Sequence, residues 1–249
     1  MHLIEIKDLC HRFSDGTRGL DHINLTVQEG EFVVIAGRNG SGKTTLLRHL
    51  NGLLLPDSGY VKVAGVSVSD DPIRARQMVG MVFQDADSQI IGETVYDDVA
   101  FGPENLCLKR SEINERVAMA LKAGNLTDLA DRRPHLLSGG EKRRLAIAGI
   151  LAMNPKIVVF DEPFSNLDYP GVKQVLKQIL FLHRSGRTIL VTTHDLEKVL
   201  AHANRLIIMA DGRIVRDGLP DQIVREAESF GVRQPYASRM GMELGSWLN

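Results

Sequence analysis

A glycine-rich run, Gly37 to Thr44, has the residue types and spacing of a phosphate-binding loop. Its sequence, GRNGSGKT, matches the pattern G-x-x-x-x-G-K-[ST]. In such a loop, glycines let backbone N–H groups surround a phosphate, Lys43 reaches its outer oxygens, and the Thr44 hydroxyl holds Mg²⁺. The apolar segment Phe32 to Ala36 precedes the run and the helix-forming segment Thr45 to Leu50 follows it. This context favours a phosphate loop over a glycine-rich turn without a ligand.

Two acidic residues follow another apolar segment, Ile157 to Phe160. Ligands of open α/β sheets bind at the carboxyl ends of strands. We therefore expect Asp161 to reach Mg²⁺, usually through water, and Glu162 to polarise a water for attack on a γ-phosphate. An ordinary strand end capped by two acids is the alternative. The sequence contains no N-K-x-D guanine motif, so hydrolysis of an adenine nucleotide is favoured over guanine binding, and a kinase would need an acceptor site.

A serine and two glycines precede a charged helix-forming segment. Ser138-x-x-Glu141 has the spacing of a capping box, so a helix is expected to begin there with free backbone N–H groups. Gly139 and Gly140 have no side chains and would let an anion approach those groups closely. The basic run Lys142 to Arg144 is interpreted as a solvated helix face rather than a nucleic-acid surface.

These residues need strands and helices that bring them together. Short continuous apolar runs are typical of strands buried on both faces of a parallel sheet. Five such runs occur, at Phe32–Ala36, Met81–Phe83, Ile157–Phe160, Thr188–Val191 and Leu206–Met209. Alternating segments at Leu3–Ile6 and His22–Val27 instead predict an antiparallel part. The predicted fold is α/β, with a mostly parallel sheet and an N-terminal antiparallel β part.

Helix patterns replace the strand signals between Gln84 and Pro155. One predicted helix runs from Glu112 to Ala123, with Ser111 as its N-cap and Gly124 past its end. The pattern predicts a helical subdomain, at approximately residues 86–154, inserted into a single domain that spans residues 1–249.

A C-terminal extension is predicted at approximately residues 219–249. Its first part, Pro220 to Phe230, is expected to form a helix that Gly231 closes. Tyr236, Met240 and Leu244 recur at helical spacing, which predicts core packing.

Composition narrows the class of protein. The 249 residues are 43% hydrophobic, which is ample for a buried core, and 30 Lys+Arg nearly balance 31 Asp+Glu, which gives no indication of nucleic-acid binding. Cys10 and Cys107 lie far apart, which fits a reducing compartment and argues against a disulfide framework or a zinc site. No run of about 18 apolar residues occurs, so we expect no membrane crossing, although attachment through a partner stays open.

The order of the motifs resembles that of the ATP-binding subunits of ABC transporters. After the phosphate loop come Leu137 to Glu141, Ile157 to Glu162, Ser165 to Asp168, and His194. The resemblance covers almost the whole chain. It implies a P-loop NTPase (ABC ATPase) core that binds and hydrolyses ATP with Mg²⁺.

The resemblance also implies individual roles. Ser138 to Gly140 would be the signature motif, Gln84 the Q-loop glutamine, Asp168 part of the D-loop and His194 the switch histidine, while Phe13 would stack on adenine unless it only packs. The residues expected to contact nucleotide are Phe13, Gly37, Asn39, Gly40, Ser41, Gly42, Lys43, Thr44, Thr45, Ser138, Gly139, Gly140 and Asp168. The expected catalytic residues are Glu162, His194 and Gln84, and the expected metal ligands are Thr44, Gln84 and Asp161.

The family arrangement implies a pair of subunits. The Ser138 motif of one subunit would close over ATP held at Lys43 of another, in a homodimer or a heterodimer with a related ATPase. Many family members have glutamine where this chain has Glu141. The Glu141 carboxylate is expected to turn back to the Ser138 backbone.

The segments Val82 to Asn105 and Phe230 to Pro235 are similar to the ATPases of energy-coupling factor transporters, including the cobalt and nickel type. This similarity implies a transmembrane coupling subunit, a substrate-binding membrane subunit, and uptake of a metal ion or vitamin. It places the protein at the cytoplasmic face of a bacterial or archaeal cell membrane. Another ABC importer or exporter, or a non-transport ABC ATPase, stays open.

An acidic run lies in the first of these segments. Its carboxylates are expected either to receive basic side chains of the coupling subunit or to form a solvated acidic face. The run consists of Asp85, Asp87, Asp97 and Asp98.

Overall fold

The computed structural model describes residues 2–248, which form ten strands and eight α-helices. The strands are β1 (His2–Arg12), β2 (Arg18–Gln28), β3 (Phe32–Ala36), β4 (Ser58–Val63), β5 (Val66–Ser67), β6 (Val79–Val82), β7 (Ile157–Asp161), β8 (Thr188–Thr193), β9 (Arg205–Ala210) and β10 (Arg213–Gly218). The helices are α1 (Lys43–Leu50), α2 (Pro72–Met78), α3 (Val95–Asn105), α4 (Arg110–Ala123), α5 (Gly139–Met153), α6 (Tyr169–Arg184), α7 (Pro220–Ile223) and α8 (Tyr236–Arg239).

The central sheet has the strand order β10-β9-β3-β8-β7-β6. Its five strands from β9 to β6 are parallel, and β10 pairs antiparallel at the edge. All residues of β3 and β7 are buried, which explains their continuous apolar sequences. Because the strands are parallel, the loops that follow β3, β7 and β8 meet at one edge, where Gly37, Glu162 and His194 lie.

A second sheet, in the order β2-β1-β4-β5, is antiparallel. Its apolar face and helix α1 pack against the central sheet in one cluster, which includes Ile4, Leu25, Val33 and Leu47. The predicted α/β fold, with a parallel sheet and an N-terminal antiparallel part, is therefore confirmed.

Helices α3, α4 and α5 lie between β6 and β7 in the chain and share their own apolar cluster. Helix α4 begins at Arg110, with Lys109 at the N-cap position, so the predicted N-cap Ser111 is wrong. The Lys109 backbone is extended and its carbonyl accepts a hydrogen bond from the Ile113 N–H, which starts the helix before Ser111.

The C-terminal part differs from its predicted form. α7 covers only Pro220–Ile223, and a 3₁₀ segment continues to Phe230 before Gly231 turns the chain with a φ of 72°. The predicted core packing is wrong for Tyr236 and Met240, which are 62% and 61% exposed, whereas Leu244 is partly buried and packs against the core. α8 has only four residues, so the helical spacing is not sustained.

Among residues 2–248, the helices are all too short or too polar to span a lipid bilayer.

Candidate nucleotide-binding site

The phosphate loop joins β3 to α1, and its shape requires glycine at two positions. A Cβ atom at Gly37 would lie 2.4 Å from Ser41 Oγ and 2.5 Å from the Met209 carbonyl oxygen. Gly42 is the N-cap of α1 and has a φ of 99°, in the left-handed region. The fold of the chain itself therefore demands these glycines, before any ligand binds.

Lys43 lies over this loop. The residue is 6% exposed, and its Nζ donates to the carbonyl oxygens of Gly37 at 2.8 Å and Arg38 at 3.1 Å. Nζ also lies 3.6 Å from Glu162 Oε1. Burial lowers the pKa of Lys43, while the nearby Glu162 and Asp161 carboxylates oppose that shift. The ammonium group is thus directed at the centre of the loop, where a phosphate would lie.

A hydroxyl and a carboxylate are paired beside the lysine. Thr44 Oγ1 donates to Asp161 Oδ2 at 2.7 Å, and Thr192 Oγ1 donates to Asp161 Oδ1 at the same distance. Hydroxyl, carboxylate and amide oxygens are the donors that Mg²⁺ prefers. Thr44 and Asp161, with the nearby Gln84, therefore form a donor set that fits this ion. The hydrogen bond from Thr192 to Asp161 was not predicted from the sequence. The only indication of it in the sequence is a polar residue at the end of an apolar strand.

Glu162 is buried at the end of β7, with 7% of the residue exposed and a φ of 47°. Its Oε2 lies 2.9 Å from His194 Nδ1. Its Oε1 has no hydrogen-bond partner within the part of the chain that the structure describes. Since Oε1 accepts no hydrogen bond there, its lone pairs can accept a hydrogen bond and then a proton from a water beside the phosphate loop.

A cavity of about 460 Å³ opens over the phosphate loop and brings most of the predicted nucleotide-binding residues together. Phe13, which is 39% exposed, borders it, and its ring packs edge-on against His11 at 5.1 Å. The predicted residues that line this cavity are Phe13, Asn39, Gly40, Ser41, Gly42, Lys43, Thr44, Thr45, Gln84 and Glu162.

The Ser138 motif borders a different cavity, also of about 460 Å³. Ser138, Gly139 and Gly140 lie there opposite the loop from Asn166 to Asp168. The Asp168 side chain accepts a hydrogen bond from the Gly171 N–H at 2.9 Å and caps α6. The structure thus separates Ser138 and Asp168 from the cavity at Lys43.

The predicted capping box at the start of α5 is confirmed. Ser138 Oγ accepts a hydrogen bond from the Glu141 N–H at 3.3 Å, and Glu141 Oε2 accepts one from the Ser138 N–H at 2.7 Å. The Ser138 N–H and then its hydroxyl lower the pKa of Glu141. A Cβ atom at Gly139 would meet nothing within 4 Å, and the nearest atom to one at Gly140 lies at 3.9 Å. The local fold therefore leaves the helix end open without requiring glycine.

The prediction of a solvated basic face at Lys142 to Arg144 is wrong for its two arginines. Arg143 and Arg144 are only 4% and 9% exposed. Arg143 donates to the carbonyl oxygens of Phe83 and Gln84, and Arg144 donates from Nε to the Gly124 carbonyl oxygen at 3.0 Å. A charge run does not reveal such partners, because they lie far away in the chain.

Asp85, Asp87 and Asp97 of the acidic run are exposed, as expected for a solvated acidic face, but the carboxylates of the run also have partners within the chain. Asp97 caps α3 in a box with Thr94, and Asp98 accepts hydrogen bonds from the N–H groups of Ile91 and Gly92 at 2.8 and 3.0 Å. Asp85 accepts one from the Asp87 N–H at 3.1 Å. Asp87 itself pairs with Lys142 at 2.5 Å. All four carboxylates therefore hold local structure.

The chain is similar in sequence to known proteins. The family model described as "ABC transporter" matches residues 20–165. The chain is 43% identical over 233 residues to the energy-coupling factor transporter ATP-binding protein EcfA of Methanocaldococcus jannaschii, covering 92% of this chain and 84% of that protein.

Two solved structures have the same fold. One is cbiO1 from Clostridium perfringens, described as part of the ABC transporter complex cbiONQ, with a TM-score of 0.82 and 34% identity over 96% of this chain and 98% of that one. The other is the ATP-binding cassette MJ0796 in a dimeric post-hydrolysis state with ADP and Pi, with a TM-score of 0.78 and 30% identity over 87% and 98% of the two chains.

Proposed function

The chain belongs to the ABC transporter family, as an ATPase and ATP-binding subunit of the energy-coupling factor type, and on this premise we propose that two such subunits close over ATP and drive uptake of a substrate through membrane partners. The substrate we propose is a metal ion such as cobalt or nickel, or a vitamin. The protein would act at the cytoplasmic face of a bacterial or archaeal cell membrane.

One observation carries the proposal: the two phosphate-binding elements of the chain border different cavities. One chain therefore cannot enclose a nucleotide between Lys43 and its own Ser138. A second subunit, identical or related, would supply the missing Ser138 motif to each nucleotide. In such a head-to-tail pair, ATP lies between the subunits and its binding energy favours the closed state.

In the proposed reaction, Lys43 and the backbone N–H groups of its loop would orient the phosphates of ATP. Thr44, Gln84 and Asp161 would hold Mg²⁺. When bound, this ion would neutralise part of the negative charge of the phosphates. Glu162 Oε1, which accepts no hydrogen bond from residues 2–248, would accept the proton of the attacking water. His194, in contact with the other oxygen of Glu162, would orient that carboxylate or contact the γ-phosphate.

We further propose where the membrane subunits attach. A cavity bordered by Asp87, by residues 90–93 and by residues 133–135 lies on the helical part of the chain. Ile91 and the neighbouring Leu136 are 60% and 56% exposed. Exposed apolar side chains beside a groove fit a helix of a transmembrane coupling subunit. A substrate-binding membrane subunit completes the proposed assembly.

Within this assembly, we propose that residues 1–249 act as one ATP-binding domain. Its helical subdomain lies at about residues 86–154 and its C-terminal extension at about residues 219–249.

The experiment is to purify the protein with the membrane proteins that associate with it, identify them, and measure ATP-dependent uptake of cobalt, nickel and vitamins into vesicles. The matched control is the same complex with Glu162→Gln, which should assemble but not transport. Association with DNA, ribosomes or an exporter instead of an uptake complex would contradict the proposal.

A further inference from the structure

Arg143 joins the helix that begins at Ser138 to the loop that carries Gln84. It lies in the second turn of α5 and is only 4% exposed. Nη1 donates to the Phe83 carbonyl oxygen and Nη2 to the Gln84 carbonyl oxygen. Because a guanidinium group is a rigid fork of donors, these two bonds fix both carbonyl groups relative to the helix.

The two ends of this connection serve different cavities. Gln84 borders the cavity that holds Lys43, whereas Ser138, little more than one helical turn before Arg143, borders the other. In a head-to-tail pair, these two cavities would face different nucleotides. A movement of the start of α5 toward the partner's nucleotide would therefore reach the backbone of Gln84 directly.

The Arg143 side chain carries its positive charge into a buried position, because a guanidinium group stays protonated in proteins. Burial lowers its pKa, and the carboxylates of Asp85 and Asp161 oppose that shift. Hydrogen bonds from a charged donor are stronger than those between neutral groups. Its Nε has no partner among residues 2–248, so its hydrogen bonds there go only to the two loop carbonyl groups.

We propose that Arg143 is a positioning residue that couples the two nucleotide sites of the dimer: it transmits the position of the Ser138 helix to Gln84. The inference rests on the proposed two-site dimer. Arg143, which borders neither cavity, would align Gln84 only when the partner's ATP has drawn the start of α5 into place.

Two substitutions and one control separate this role from ordinary packing. Arg143→Met keeps the length of the side chain but removes both donors, and Arg143→Lys keeps the charge but cannot span two carbonyl groups. Arg116→Met is the matched control, because Arg116 Nη1 also donates to α5 carbonyl groups, those of Ala152 and Met153 at 3.4 and 3.3 Å, at the far end of the helix.

The test measures kcat and KM for ATP of the full-length protein in a double-mutant cycle with Gln84→Ala. We expect Arg143→Met to lower kcat about tenfold, to leave KM for ATP nearly unchanged, and to add little to the loss caused by Gln84→Ala. Arg143→Lys should lie between the wild type and Arg143→Met. Arg116→Met should leave kcat nearly unchanged and should not alter the effect of Gln84→Ala.

The inference is overturned if Arg143→Met leaves kcat unchanged, or if its effect multiplies with that of Gln84→Ala as for independent residues. Should Arg143→Met not fold, the same cycle with Arg143→Lys decides by the same criteria. ATP-dependent dimerisation of Glu162→Gln, measured in parallel, tests the proposed function separately. If that variant stays monomeric with ATP and Mg²⁺, the dimer is overturned and the inference with it, whereas a dimer with independent effects overturns the inference alone.

Discussion

Nδ1 of His194 lies 2.9 Å from Oε2 of Glu162, at the ends of two neighbouring strands of the central sheet. The contact is local to the sheet edge, since β7 and β8 pair in parallel and Asp161, the last residue of β7, lies beside Thr192 near the end of β8. The other oxygen of the carboxylate faces the Lys43 ammonium at 3.6 Å. Glu162 is thus held between the phosphate loop and the loop after β8, which makes it the first residue to test.

Glu162→Gln should lower the rate of ATP hydrolysis by about 10²- to 10⁴-fold and preserve an ATP-dependent dimer, because the amide cannot accept the proton of the attacking water. Phosphate release and light scattering with ATP and Mg²⁺ measure the two effects. Glu226→Gln, at an exposed ion pair with Arg216, is the control and should behave as the wild type. Finding only monomers of Glu162→Gln under these conditions would refute the dimer model.

Lys43→Met and Ser138→Arg should each abolish most ATPase activity, yet their equimolar mixture should regain it. In a mixed dimer, the intact loop of one subunit meets the intact motif of the other, so up to about a quarter of the wild-type sites are complete. Phosphate release before and after subunit exchange measures this recovery. Lys177→Met, at an exposed position of α6, controls for loss of a positive charge. If verified subunit exchange restores no activity, the sites are not shared between subunits.

Glu141→Gln should keep or raise ATP-driven dimerisation, since it removes a negative charge near the polyphosphate while an amide oxygen can still accept from the Ser138 N–H. Size measurements at increasing ATP concentrations check this expectation. The exposed Glu226→Gln again serves as control. A large loss of dimerisation would show that the carboxylate itself contributes to the closed state.

The same variant should alter stability in acid. The pKa of Glu141 is lowered from its usual value of 4.5, so the ionised carboxylate stabilises the folded state above that pH, and the contribution disappears as the pH falls through the lower folded value. The difference in unfolding temperature between wild type and Glu141→Gln should therefore close between about pH 6 and pH 3. A constant difference over that range would contradict the capping role of the charge.

His49 should make stability depend on pH in a higher range. It is fully buried on α1, and its Nδ1 donates to the Thr45 carbonyl oxygen at 2.8 Å. Burial lowers its pKa from 6.5, so the folded chain favours the neutral ring, and stability is lost as the pH falls below that value. His11, whose ring centre lies 4.8 Å away, adds to the lowering, while Asp57 opposes it.

His49→Gln should therefore show a smaller drop in unfolding temperature than the wild type between about pH 7.5 and pH 5.5. His135→Gln, at an exposed position, is the control and should follow the wild-type curve. Equal slopes for the wild type and His49→Gln would assign the acid sensitivity to other groups.

Local signals in the sequence predicted the architecture well. The apolar runs Phe32–Ala36 and Ile157–Phe160 lie in β3 and β7, because strands buried on both faces need an unbroken apolar sequence. The capping box at Ser138 also follows from the spacing of two residues within one turn. Both features depend on neighbours in the chain, which a sequence displays.

Long-range polar contacts could not be predicted in the same way. From the sequence, Arg143 is predicted to lie on a charged helix face, yet its guanidinium group donates hydrogen bonds to carbonyl groups about 60 positions earlier in the chain. Asp98 likewise accepts hydrogen bonds from the N–H groups of Ile91 and Gly92, which its place in an acidic run does not indicate. The residue type determines whether such a side chain can donate or accept hydrogen bonds, but its partners depend on the packed fold.

The glycines of the two phosphate-binding elements differ in the space around them, and this difference determines which assay detects a substitution. Gly37 has no room for a side chain, whereas Gly139 faces open space. A survey of substitutions scored by expression level or protease resistance should thus reject alanine at Gly37 and accept it at Gly139. A substitution at Gly139 would be detected only by a measurement that depends on association of two subunits, such as growth supported by transport. A variant at Gly139 that expresses well and folds is not thereby shown to be active.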